Sequence, residues 1–137
     1  MGKEVLKPQF LNELEISTLP DTENIWFLVS HLAYNSSYLS ETIDVPAGFV
    51  TDLASVPRVP IAYQLWGNRA HREAVIHDFL YQTHLTTKKV ADKIFLEAMK
   101  VRGKPVHVRY PMYWGVVLGG RKSYETGPER YRILQKK

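Results

Sequence analysis

Apolar residues in the first half of the chain come in short runs or in alternation. Ile25-Trp26-Phe27-Leu28-Val29-Ser30-His31-Leu32 is rich in β-branched and aromatic side chains and predicts a buried strand. Thr42-Ile43-Asp44-Val45 alternates, with Ile43 and Val45 on one face. Asn35-Ser36-Ser37 and Pro46-Ala47-Gly48 are turn clusters, and Phe49-Val50-Thr51 predicts another short strand ending at Asp52. Near residue 60 the period changes from 2 to 3.6. Pro60–Trp66 suits one or two helical turns, and Asn68 is placed to cap a helix from Arg69 to about Gln82. Thr86 or Thr87 caps a second helix to Arg102, which stops at Gly103 and carries an apolar stripe of Ala91, Ile94, Phe95, Ala98 and Met99. A third helix is predicted over Pro111–Leu118, ended by Gly119-Gly120. The expected fold is α+β: a small antiparallel sheet from the N-terminal half packed against two or three helices of the C-terminal half. Its core should include Val45, Phe49, Phe79, Ile94, Phe95 and Met99. An N-terminal arm (1–24), a single domain (25–120) and a polar, basic tail (121–137) are the expected divisions.

Composition narrows the possibilities. A chain of 137 residues is one domain's worth of polypeptide. With no cysteine it has no disulfide framework, thiolate zinc site, iron–sulfur cluster or cysteine nucleophile. No membrane span is expected, because no run of 18 apolar residues occurs. The first residues are too acidic and broken for a signal peptide. Charge is divided unequally: residues 1–56 hold eight acids and two bases (net −6), residues 57–137 six acids and sixteen bases (net +10). The halves are therefore expected to attract each other or a neighbouring copy, in a homo-oligomer or with another protein. A nucleic-acid partner is the weaker expectation, since the bases are spread out and no aromatic-rich binding motif accompanies them.

The candidate chemistry lies in Asn68–Gln82, NRAHREAVIHDFLYQ. On a helix His71, His77, Asp78 and Tyr81 share one broad face. Histidine and aspartate are poor helix formers, so their adjacency in mid-helix needs a reason. Facing a cleft, they offer nitrogen and oxygen donors suited to one divalent metal ion, with His71, His77, Asp78 and Asp92 as ligands. Val50–Arg58 leaves a strand and sets Asp52, Ser55 and Arg58 within a few residues, where functional groups often sit. Asp52, His77 and Asp78 are the catalytic candidates; Ser55, Arg58 and Tyr81 are the binding candidates. A purely structural account stands beside this one: Asp52 in an Asx-turn, His77 satisfied in the core, Arg58 paired with Asp52 or Asp78. If both aspartates meet, Arg58, a protonated His77 or a bound cation must balance them.

The segments VPAGFVTDLASVPR (45–58), HREAVIHDFLY (71–81), KKVADKIFLEAMKVRG (88–103) and MYWGVVLGG (112–120) resemble a family of short proteins of tailed phages and prophages, the domain of unknown function 1353. The resemblance implies that Asp52, Ser55, Pro57, Arg58, His77, Asp78, Tyr81 and Asp92 are the family-pattern positions. It also implies a phage setting, in the virion or the host cytoplasm. The first functional expectation is a metal-dependent hydrolase of an amide or phosphoester, for example in the cell wall. The alternatives are a structural virion or host-interaction protein and, third, a nucleic-acid accessory protein.

Overall fold

A computed structural model describes residues 6–22, 25–53 and 71–136, with the side chain of His71 outside the description. Six short strands come first: β1 (Gln9–Phe10), β2 (Ile16–Thr18), β3 (Trp26–Leu28), β4 (Leu32–Asn35), β5 (Ile43–Val45) and β6 (Val50–Thr51). They form two three-stranded antiparallel sheets, ordered β1-β4-β5 and β2-β3-β6, where one sheet was expected. The run Ile25–Leu32 accounts for the difference. It breaks at Ser30-His31, so that Trp26 faces Thr51 in one sheet and Leu32 faces Val45 in the other. Gly48, at φ +86°, turns the chain from β5 into β6, a conformation that glycine adopts without steric cost.

Five helices follow: α1 (His71–Thr83), α2 (Lys88–Val101), α3 (Val106–Gly119), α4 (Arg121–Glu125) and α5 (Gly127–Leu134). The α+β class is as predicted. Thr87 caps α2, accepting from Val90 N–H, and Gly103 at φ +81° lets the chain leave it. The third helix begins at Val106 rather than Pro111; Pro105 occupies its N-cap, and Pro111 lies inside it. The segment expected as a polar tail carries α4 and α5 over residues 121–134. Absence of a side chain at Gly127 permits this docking, because a Cβ there would lie 1.9 Å from the Tyr81 carbonyl oxygen. The helical segment expected at Pro60–Trp66 lies outside the described residues.

Both sheets and α1, α2 and α3 share one core, in which Val45, Phe49, Ile94, Phe95 and Met99 are buried as expected. Phe79 is partly buried, its ring edge-on to Phe49 at 5.3 Å. Charge crosses between the two halves: Arg72 pairs with Glu13, and Arg130 reaches Asp52 at 3.4 Å. A deeper pair within the second half joins Lys104 to Glu73 with both side chains buried.

Candidate functional site

Helix α1 carries the site, and its broad polar face divides in two. Residues four apart on a helix are neighbours, so His77 pairs with Tyr81 and Asp78 with Gln82. The first pair turns to α2. Asp92 there is buried and accepts three bonds: from His77 Nε2 at 2.8 Å, Tyr81 Oη at 2.6 Å and Lys88 Nζ at 2.7 Å. The His77 ring is fully buried, 4.1 Å from the Tyr81 ring and 4.7 Å from the Phe95 ring.

The second pair turns to β6 and α5. Asp78 is also fully buried, and it accepts from Thr51 Oγ1 at 2.7 Å, Gln82 Nε2 at 2.6 Å and Arg130 Nη1 at 3.0 Å. The same Arg130 nitrogen lies 3.4 Å from Asp52, whose side chain is partly exposed. Asp52 and Asp78 therefore share one cation, Arg130, among the described residues, while His77, expected in the same cleft, is bonded to Asp92. Arg58 and Ser55 lie outside the described residues. The backbone is strained at Leu53, whose φ of +56° is uncommon for a bulky residue, while its N–H bonds Thr51 Oγ1 at 3.0 Å. Gln135 secures the same strand from α5, pairing with both the N–H and the carbonyl of Val50 at 2.9 and 2.8 Å.

Electrostatics assigns the protons. Burial holds the His77 pKa below its ordinary value, despite the bond to Asp92 and the nearby charges of Asp92 and Asp78, which act oppositely. Burial also opposes ionisation of Asp92, but the hydrogen bonds from His77, Lys88 and Tyr81 together hold its carboxyl below the usual range. Burial and the bond to Asp92 push the Tyr81 hydroxyl up. Asp92 is thus an anion that only accepts, so the neutral His77 ring must carry its proton on Nε2 and its lone pair on Nδ1. Stability depends on pH accordingly. The unfolded ring binds a proton below its ordinary value of 6.5 while the folded ring stays neutral. Stability is full above that pH and falls below it, until the folded ring also protonates. Asp92 adds a second loss at lower pH, as its depressed folded pKa is crossed. Urea midpoints between about pH 7 and pH 5 should fall in the native protein and fall less in His77→Gln.

Residues 26–116 match the family described as "Protein of unknown function (DUF1353)". The chain belongs to this family. No curated protein and no solved structure matches the chain. Within the DUF1353 region the structure brings together His77, Tyr81 and Asp92, and separately Asp52 and Asp78. Of the expected ligand set of His71, His77, Asp78 and Asp92, the His71 side chain lies outside the described residues, and among the described residues no group of three or more His, Asp or Glu side chains is placed to hold a metal ion. His77 and Asp92 are bonded to each other, and Asp78 turns away toward Thr51, Gln82 and Arg130. Sequence reasoning missed Thr51, Gln82, Lys88 and Arg130. Gln82 was detectable at helical spacing from Asp78; Arg130, 52 residues from Asp78, carried no local signal. No helix among the described residues is long and apolar enough to cross a membrane.

Proposed function

We propose that this is the centre of a hydrolase in which His77 acts as general base on a water molecule that attacks an ester or amide. The observation that carries the reading is Asp92, a buried anion whose three donors include His77 and which holds that ring neutral and in one orientation. In the reaction the neutral imidazole, held by Asp92, takes the water proton as the new C–O bond forms. It returns that proton to the leaving oxygen or nitrogen as the tetrahedral intermediate collapses. Arg130 is the nearest described cation to Asp78 and suits stabilisation of developing negative charge. The resemblance to phage proteins supports a host-derived substrate such as cell-wall material.

A second reading, a structural virion component, is favoured by the full burial of His77 and Asp78 and by the three donors that converge on Asp78. In it the polar groups only lock sheets to helices. The test is turnover of a panel of chromogenic carboxylic esters and amides, with and without added divalent metal. Activity should rise with pH to a plateau reached below about pH 6.5. It should vanish in His77→Gln and persist in Tyr81→Phe, reduced by about tenfold or less. Absence of turnover across the panel, with the fold intact, would leave the lock reading in place.

A further inference from the structure

Helix α3 is apolar on both sides. Its inner side, Val108, Met112 and Val116, is buried in the core. Its outer side carries Val106, Tyr110, Trp114 and Leu118 at four-residue spacing, exposed by 58%, 40%, 51% and 80%. A helix that is apolar all round normally has both sides covered, and a contiguous exposed patch of this kind marks an interaction surface. Next to it lies a cleft of about 590 Å³ whose walls include Lys7, Lys93, Lys100 and Arg109. Tyr110 belongs to both the cleft and the ridge. The one carboxylate in the cleft, Glu97, is committed inward to Tyr34 at 2.8 Å and to Ser37. The Arg109 guanidinium lies 5.6 Å from the Tyr110 ring. The cleft is therefore cationic with an aromatic rim.

We infer that α3 lies on the surface of an anionic lipid bilayer, with the ridge in the acyl–headgroup boundary and the cleft around lipid phosphates. Three features favour this occupant. The ridge combines Trp and Tyr with aliphatic residues, as interfacial helices do. Its flank is cationic, complementary to anionic headgroups. With 14 residues the helix is too short to span and suits lying flat. The inference is independent of the hydrolytic reading.

Flotation of the full chain with vesicles of phosphatidylglycerol or of phosphatidylcholine tests it. Co-flotation with phosphatidylglycerol is expected, weakening with added salt, with a blue shift of the Trp114 emission. Trp114→Ser combined with Leu118→Ser should reduce binding roughly tenfold or more. Lys93→Gln combined with Lys100→Gln should cause a comparable loss on phosphatidylglycerol. All four side chains lie at or near the surface, and an unchanged thermal midpoint confirms folding. Failure of the native chain to float, or equal binding to both lipids, overturns the inference. So does self-association, seen by light scattering and removed by the serine pair, since the ridge would then belong to a second copy.

Discussion

Arg130→Ala should lower the free energy of unfolding by about 3 kcal/mol, the low end of what removing one partner of a buried ion pair costs. The reason is the anion left behind. Asp78 is fully buried, and its charge-bearing partner among the described residues is Arg130 at 3.0 Å. Thr51 and Gln82 remain as neutral donors, which is why the low end of the range applies. The guanidinium also spans to Asp52 and, through Nη2, to the Ser123 carbonyl at 3.1 Å, so it ties α5 to α4 and β6. Arg130→Lys keeps the charge but lacks the planar fork, and should recover only part of the loss. Arg130→Met combined with Asp78→Asn removes both charges and should be more stable than Arg130→Ala alone. Urea unfolding of the four proteins measures each step. Equal midpoints for native and Arg130→Ala would show that the Arg130–Asp78 pair adds nothing to stability.

The sequence showed the need for this interaction more clearly than the residue that meets it. Two aspartates converging on one place demand a cation, and that followed from the strand ending at Asp52 and the helix carrying Asp78. Of the three candidates the sequence offers, Arg58, a protonated His77 or a bound cation, Arg58 lies outside the described residues. Arg130 is hidden by the charge of its segment: six bases and two acids over residues 121–137 look like a solvated tail. What makes that segment fold back is Gly127, whose missing side chain admits the Tyr81 backbone, and that close approach is invisible until the partner is known. The strand run Ile25–Leu32 shows the same limit. Its composition is that of a buried strand throughout, but where it changes sheets depends on pairing with β2, β6, β1 and β5. The helical spacing of His77 and Tyr81 was legible from periodicity alone. Which carboxylate they serve was not, because a wheel shows the face a residue shares and not the helix packed against it.

Asp92→Asn should reduce hydrolysis by about 10²–10⁴-fold, more than its effect on folding would explain, if His77 is the base. The carboxylate accepts the Nε2 proton and so fixes the lone pair on Nδ1. An asparagine amide nitrogen in the same place donates instead of accepting. With that nitrogen toward Nε2, the ring must carry its proton on Nδ1. Turned the other way, the amide oxygen still accepts from His77, but the amide nitrogen then faces Lys88 Nζ, itself a donor, in place of the bond now made at 2.7 Å. The first orientation is therefore favoured, and the base is lost while the geometry survives. Lys88→Met separates charge from orientation. It removes one donor but leaves His77 and Tyr81 on Asp92, and should retain most of the activity. Tyr81→Phe likewise leaves the His77 bond in place. A profile in which Asp92→Asn is nearly inactive at every pH while its thermal midpoint shifts no more than that of Lys88→Met assigns Asp92 to catalysis. Equal losses of stability and activity in all three variants would assign it to the lock.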